Sequence, residues 1–179
     1  MPVPVHVALL NGYAPRWTDA LVSGIADALS VPVEAFPVEL DTVVAFAPGR
    51  RQYHATLLLA ALLRHRRDPA AKILGLTSMD LFIPVLTFVF GQSQLDGPGA
   101  IVSTHRLHSE YYGLPPDEGR LVDRAIKEAV HELGHAFGFV HCPEADCVMR
   151  ASTYVEEVDL KASEFCSRCT RSLEEAGRR

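Results

Sequence analysis

The order of apolar and polar residues divides the N-terminal part of the chain into alternating strands and helices. Valines at every second position predict a buried strand over residues 3–10, and apolar residues at helical spacing predict a helix over 17–29. Two prolines in the next predicted strand, 31–37, favour an irregular or edge position. The further predicted elements are a helix over 52–66 and strands over 71–76 and 99–104. This alternation predicts an α/β fold with a mostly parallel sheet covered by helices.

A long amphipathic helix is predicted after the break at Pro115-Pro116, with Asp117 as its N-cap. Its apolar stripe contains Leu121, Val122, Ala125, Ile126, Ala129, Val130, Leu133, Ala136 and Phe137. Because His131 and His135 lie off this stripe, we expect both side chains to face a cleft rather than the core.

The C-terminal residues predict a small lobe within a single domain. We divide the domain into an N-terminal lobe, 1–138, and a C-terminal lobe, 139–179, with one helix from Lys161 to about Glu175. So small a lobe has little apolar core of its own, and a bound metal ion would supply the missing stability.

The end of the long helix carries the string HExxHxxGxxH, formed by His131, Glu132, His135, Gly138 and His141. On a helix the first two histidines lie one turn apart, so both imidazoles can bind one metal ion. Gly138 can end the helix with a positive φ, which turns His141 toward the same ion. Three neutral imidazoles leave one position open for water, which is typical of a catalytic zinc. Glu132 then lies where a carboxylate can take a proton from that water.

The extended string resembles the metzincin clan of zinc peptidases, whereas HExxH alone is also compatible with ordinary surface or core residues. Cys142, Cys147 and Met149 continue it as HCxxxxCxM, and Cys166 and Cys169 close a CxxC pair. The whole pattern resembles the archaemetzincin family. Sixteen residues separate Met149 from Cys166, one fewer than in the family pattern, which indicates a one-residue deletion in this loop.

The resemblance implies a metzincin-like fold with an antiparallel edge strand at the upper rim of the cleft. Residues 86–94 are the candidate for this strand, to which a substrate peptide could add by backbone hydrogen bonds; the alternative is a core strand without a ligand role. Met149 resembles the Met-turn methionine, an apolar base beneath the histidines that does not touch the metal, although a lone methionine is usually core filler. Tyr154 could donate a hydrogen bond to an oxyanion or simply lie at the rim.

The four cysteines, Cys142, Cys147, Cys166 and Cys169, form a set of thiolates suited to a tetrahedral structural zinc. Two alternatives remain open. Local disulfides, 142–147 and 166–169, would be disfavoured in a reducing cytosol, and the CxxC could instead be a redox pair. We therefore expect two zinc ions per chain, one catalytic and one structural.

Composition and charge narrow the classes of partner. The net charge is −5, and the single basic cluster, at residues 64–67, is typical of a solvated helix end rather than of a nucleic-acid site. The longest apolar run, 81–90, contains Pro84 and is too short to cross a bilayer, and no signal peptide is evident. We expect a cytoplasmic monomer that acts on peptide or protein substrates, without nucleic-acid or membrane partners.

The sequence thus predicts a zinc-dependent metallopeptidase. One alternative is a zinc-stabilised binding module with vestigial or no peptidase activity. Another is an enzyme of a different zinc clan whose third ligand is Glu156 or Glu157, which leaves Gly138 and His141 unexplained. Aminopeptidase and endopeptidase action are both compatible with the sequence; Asp96, Glu110 and Glu144 are candidates for holding a free substrate amine.

Overall fold

The structure is a computed structural model that describes residues 2–176, with side chains through Leu173. Within this range the strands are β1 (Val5–Leu10), β2 (Val33–Val38), β3 (Phe46–Ala47), β4 (Gln52–His54), β5 (Lys72–Thr77), β6 (Leu81–Phe82), β7 (Gly91–Ser93) and β8 (Gly99–Ser103). The α-helices are α1 (Thr18–Leu29), α2 (Ala55–Leu62), α3 (Glu118–Ala136), α4 (Val155–Leu160) and α5 (Ser167–Ala176). Short 3₁₀ turns occupy Val43–Ala45, Leu63–His65 and Ser109–Tyr112.

The main sheet has five strands in the order β2-β1-β5-β8-β7. All neighbours are parallel except β7, which runs antiparallel to β8 with Gln92 opposite Ile101. This arrangement confirms the predicted α/β fold with a mostly parallel sheet and an antiparallel edge strand. The edge strand is shorter than the candidate range, 86–94, because only its last part pairs with β8.

Helices cover both faces of the sheet. Along β1, Val5 and Val7 belong to the apolar cluster beneath α1 and α3, whereas Ala8 and Leu10 belong to the cluster beneath α2. Successive side chains of a strand point to opposite faces, so a strand between two helical layers is apolar on both. The cluster beneath α3 also contains Met149 and other residues that follow Gly138, so both predicted lobes contribute to it.

The helix predicted over 52–66 is wrong at its start. Gln52–His54 forms β4, which pairs with β3 and β6, and the helix begins only at Ala55. The backbone N–H of Tyr53 donates to the Asp80 carbonyl at 2.8 Å, a contact with a residue far along the chain. Long-range strand pairing therefore overrides the local helical pattern. Leu57, which the prediction placed on the apolar stripe, is 44% exposed.

The C-terminal helix predicted from Lys161 to about Glu175 is also wrong in its boundaries. Helix α4 ends at Leu160, and α5 begins only at Ser167. Between them the backbone binds the loop before Met149, since Ala162 N donates to Asp146 O at 3.1 Å and Val148 N to Glu164 O at 2.9 Å. These bonds replace those that a continuous helix would make.

Helix α3 begins as expected, because the Asp117 side chain accepts a hydrogen bond from the backbone N–H of Arg120 at 2.9 Å. A membrane-spanning helix, long and apolar enough to cross a bilayer, does not occur among residues 2–176.

Candidate active site

The C-terminal turn of α3 ends at the glycine of the motif. Gly138 has φ +94°, a conformation that favours glycine. Its N–H donates to His135 O at 2.9 Å, and Phe139 N–H donates to Gly134 O at 3.0 Å. These bonds close the helix and reverse the chain, as predicted, so that His141 returns toward the last turn of α3.

The three histidines of the motif converge at this reversal. Nitrogen atoms of His131, His135 and His141 all lie within 4.8 Å of one another. The Nε2 atoms of His131 and His135 are 3.2 Å apart. The ring centre of His141 lies 5.3 Å from that of His131 and 4.8 Å from that of His135. Three imidazoles arranged in this way can share one metal ion.

Two backbone carbonyls determine which imidazole nitrogen is available as a ligand. His131 Nδ1 lies 2.8 Å from Val148 O, and His135 Nδ1 lies 2.7 Å from Phe139 O. A carbonyl can only accept, so each Nδ1 carries the proton and donates, and each Nε2 keeps a free lone pair. Burial lowers the pKa of His131 to about 4 and also lowers that of His135. Both rings are therefore neutral at pH 7, as metal ligands must be.

Glu132 is buried beside the histidines and held by the edge strand. The Ser93 hydroxyl donates to its Oε2 at 2.8 Å. Gly91 allows this approach, because a Cβ at that position would lie 2.6 Å from Glu132 Cγ. Burial, and after it the neighbouring Glu128 carboxylate, raises the pKa of Glu132 to about 8. A bound cation would act in the opposite direction by favouring the carboxylate.

Met149 lies beneath the histidines and is fully buried. Its Sδ packs against the backbone of Gly134, and a Cβ at residue 134 would overlap the sulfur. Since Gly134 directly precedes His135 on α3, Met149 supports the helix between the first two histidines. A larger side chain at residue 134 would push the Met149 sulfur away from α3.

The site opens into a cleft of about 530 Å³. Residues 86–91 and Ser93 form one wall, and residues 151–154 form the other. Tyr154 lines the cleft at its rim and is 65% exposed. The suggested amine-binding residues and the two histidines that precede α3 do not line it: Asp96, Glu110, Glu144, His105 and His108.

A larger cavity, of about 860 Å³, lies between α1, α3 and α5. Among the residues with described side chains, its lining includes Asp27 and Glu164 but no histidine or cysteine. The three histidines and Glu132 line the smaller cleft instead.

The four cysteines form a second cluster of possible metal ligands. The Sγ atoms of Cys142, Cys147, Cys166 and Cys169 lie within 4.8 Å of one another, and all four are free thiols. Burial raises the pKa of Cys147, whereas a hydrogen bond from the Cys169 backbone lowers that of Cys166 to about 7. Four converging sulfur donors fit a tetrahedral zinc, and the structure contains neither of the local disulfides considered above.

Comparison with known proteins identifies the family. The sequence profile of peptidase family M54 matches residues 37–175. The archaemetzincin of Pyrococcus furiosus is 43% identical over 147 residues, which cover 82% of this chain and 73% of that protein. The chain belongs to the archaemetzincin family.

Other archaemetzincins match nearly the whole chain. That of Thermococcus kodakarensis is 37% identical over 169 residues, which cover 90% of this chain and 91% of that protein. The crystal structure of the Methanopyrus kandleri archaemetzincin superposes with a TM-score of 0.86 at 36% identity, covering 99% of this chain and 96% of that one. Membership of this family makes the chain a zinc-dependent metallopeptidase, as its sequence predicted.

The sequence predicts the candidate ligand side chains that converge here, but not the groups that orient them. Ser93 and Gly91 were predicted only as part of a candidate edge strand, and the carbonyls of Val148 and Phe139 were not foreseen. A glycine within a strand next to a catalytic helix is a signal of close approach that could have indicated Gly91.

Proposed function

We propose that His131, His135 and His141 hold the catalytic zinc of this metallopeptidase and that Glu132 is its general base. The observation that carries this assignment is the convergence of three imidazoles beside a buried carboxylate. Zinc bound there supplies Lewis-acid chemistry, which polarises the scissile carbonyl and lowers the pKa of a water molecule.

Glu132 takes the proton of the attacking water and then delivers it to the leaving amine. The Ser93 hydroxyl holds Oε2, so the carboxylate keeps one orientation while Oε1 remains available to the water. The Nδ1 hydrogen bonds to Val148 O and Phe139 O prevent the first two imidazoles from rotating. Tyr154, at the mouth of the cleft, is the candidate donor to the developing oxyanion.

We further propose a second, structural zinc bound by Cys142, Cys147, Cys166 and Cys169, for a total of two zinc ions per chain. Four sulfur donors close the coordination shell, so this site has no position for substrate. Met149, packed on Gly134, would serve as the apolar base of the catalytic site without contacting the metal.

The substrate peptide is proposed to extend along β7, the last strand of the main sheet, by β-strand addition. The bound peptide would then lie close to Glu132, which β7 contacts through Ser93. The monomeric state, the cytoplasmic location, the absence of nucleic-acid and membrane partners and the division at residue 138 stay predictions from the sequence.

The substitution Glu132→Ala tests the proposed role of the carboxylate. Hydrolysis of a mixed peptide library should fall by about 10²–10⁴-fold, while zinc content and folding stay unchanged, because the side chain carries a proton and is not a ligand. Glu118→Ala, at the exposed start of the same helix, is the matched control and should retain full activity.

Two results would contradict the proposal. Wild-type activity in the Glu132→Ala variant would exclude this residue as the general base. Failure of the zinc-loaded wild type to hydrolyse any member of the library, with both metal sites filled, would instead favour the binding module without peptidase activity.

A further inference from the structure

One wall of the cleft is an irregular segment, Leu86–Phe88, that lies outside the strands. Leu86 is 50% exposed, and Thr87 is also exposed, so few apolar contacts hold the segment. Its backbone carbonyls make no hydrogen bonds within a strand or helix, so they are free to accept from other parts of the chain. A segment of this kind keeps one conformation only if other parts of the chain bind it.

Gln52, which is buried in β4, provides one of these partners. Its Nε2 donates to Thr87 O at 3.1 Å and to Asp80 Oδ2 at 3.0 Å, and its Oε1 accepts from Arg50 Nε at 2.9 Å. Both donors and the acceptor of this amide are thus used. Arg50 Nη2 also donates to Leu86 O at 3.0 Å and to Thr87 O at 2.8 Å.

Arg106 completes the network from the opposite side. Its guanidinium donates two hydrogen bonds to Asp80, at 2.7 Å and 2.8 Å, and lies 4.3 Å from the centre of the Phe88 ring. Burial alone would raise the pKa of Asp80, but the bonds from Arg106 and Gln52 lower it below its ordinary value. The Arg106 and Asp80 side chains are only 16% and 11% exposed, so solvent weakens this pair less than a surface pair.

The surface that the network holds is apolar. Phe88 packs edge-on against Phe90, with ring centres 5.2 Å apart, and Leu86 continues the same wall. Glu128, which lines the cleft, forms an ion pair with Lys161 at 2.9 Å. The two opposite charges cancel, so the pair presents no net charge to a substrate. The part of the cleft next to Glu132 is therefore suited to a large apolar side chain.

We propose that Gln52 and Arg50 are positioning residues that fix the segment Leu86–Phe88, whose Leu86 and Phe88 form an apolar wall for a substrate side chain. The proposal rests on the proposed function, since it assigns the cleft to a peptide. Neither residue lines the cleft, so both act through the wall they hold. Their loss should weaken the binding of an apolar substrate side chain and leave the metal site unchanged.

The test compares two zinc-binding probes on the zinc-loaded protein, acetohydroxamate and 3-phenylpropanohydroxamate. Acetohydroxamate reports the metal site alone, and the second probe adds a benzyl group that can contact the wall. In wild type the benzyl group should improve Kd by about tenfold, the value of one good aromatic contact. Gln52→Met should abolish most of this gain and leave the Kd of acetohydroxamate unchanged.

A second variant and a control complete the design. Arg50→Met removes the hydrogen bonds to the Leu86 and Thr87 carbonyls. Because Arg50 is exposed, the variant should fold normally, and the gain in Kd from the benzyl group should fall less than in Gln52→Met. Tyr53→Phe, the next residue in β4, should keep the full gain, because its side chain packs against Phe46 and not against the wall.

An equal gain in wild type, Gln52→Met and Arg50→Met would overturn the proposal, as would the absence of any gain in wild type. Failure of acetohydroxamate to bind the wild type would contradict the proposed catalytic zinc site rather than the wall. In that case N-acetyl-phenylalaninamide, which needs no metal, gives the same comparison between wild type and variants.

Discussion

Two glycines determine how closely the side chains of the catalytic site approach the backbone. At Gly91 a Cβ would lie 2.6 Å from Glu132 Cγ and 2.7 Å from the Ile101 carbonyl. At Gly134 a Cβ would overlap the sulfur of Met149. A methyl group at residue 91 can be accommodated only if Glu132 or the backbone at Ile101 moves, whereas one at residue 134 requires the Met149 side chain to move.

Gly91→Ala should therefore lower hydrolysis by about 10²-fold while the protein still folds, because a displacement of about 1 Å at a catalytic group has an effect of this size. The measurement is kcat/KM together with the zinc content. Gly119→Ala is the matched control in α3: its Cβ would meet the nearest atom, Asp117 Oδ1, at an ordinary 3.6 Å. Equal kcat/KM in Gly91→Ala and wild type would show that Glu132 tolerates the methyl group.

The individual residues of the site also differ in how far the sequence predicts them. The proposed histidine ligands follow from spacing because they are local to one helix end, and the cysteines form two local pairs, 142/147 and 166/169, that the structure brings together. Ser93 lies 39 residues before Glu132, and no local pattern joins the two. A hydrogen-bond partner from another element becomes evident only once the sheet edge is placed beside α3.

Among the secondary-structure elements, α4 packs on α3 through buried apolar residues and through buried charged side chains. Arg124 is buried and donates to both Asp159 oxygens, at 2.6 Å and 2.7 Å, and to the carbonyl of Leu107 at 2.7 Å. Lys161, also buried, pairs with Glu128 one turn further along α3. Buried pairs of this kind are sensitive to the loss of one partner, because the other charge is left without compensation.

The Arg124–Asp159 pair predicts a pH dependence. Hydrogen bonds from Arg124 hold the pKa of Asp159 below its ordinary value. The unfolded chain thus binds the proton first as the pH falls below about 4, and the stabilisation is lost as the pH approaches the lower folded-state pKa. Asp159→Asn should be less stable than wild type by about 2 kcal/mol at pH 7, and this difference should shrink below about pH 4.

Denaturant unfolding of both proteins at several pH values between 7 and 3 checks this prediction. Metal loss at low pH affects both proteins, so the difference between them isolates the pair. A difference that is constant over the whole range would mean that Asp159 titrates alike in the folded and unfolded chains.

Element boundaries were the least predictable part of the fold, for a physical reason. Apolar residues recur at helical spacing over residues 52–66, which predicts a helix. Gln52 and its neighbours nevertheless form a strand that pairs with β3 and β6. The segment after Lys161 is likewise fixed by bonds to the loop before Met149. Elements whose own apolar stripe is long, such as α3, were predicted well because packing and local pattern agree.

At the scale of the whole molecule, the cysteine cluster supports the histidine cluster through three connections. His141 and Cys142 are consecutive residues. Cys147 precedes Val148, whose carbonyl orients His131. The N–H of Cys142 donates to the carbonyl of Met149 at 2.9 Å, which joins the two loops below the histidines. A zinc ion bound to the cysteines would therefore fix the backbone at His141. It would also fix the Val148 carbonyl that orients His131.

The double substitution Cys166→Ser with Cys169→Ser should consequently lower both peptide hydrolysis and the zinc affinity of the histidine site, although neither residue contacts that site. The expected loss of activity is about 10²-fold, the effect of a displacement near 1 Å. His141→Ala should have the weaker converse effect, because the four thiols remain to bind zinc. Unchanged hydrolysis by a folded double-serine variant that lacks the second zinc would contradict this coupling.

We propose that one zinc ion occupies the histidine cluster and another the cysteine cluster. Native mass spectrometry of the zinc-loaded protein tests it most directly by counting the ions on each chain. We predict two zinc ions in wild type and in Glu132→Ala, and one in the double variant His131→Ala with His135→Ala. A single ion in wild type, or two ions in the double-alanine variant, would contradict the assignment of one zinc to each cluster.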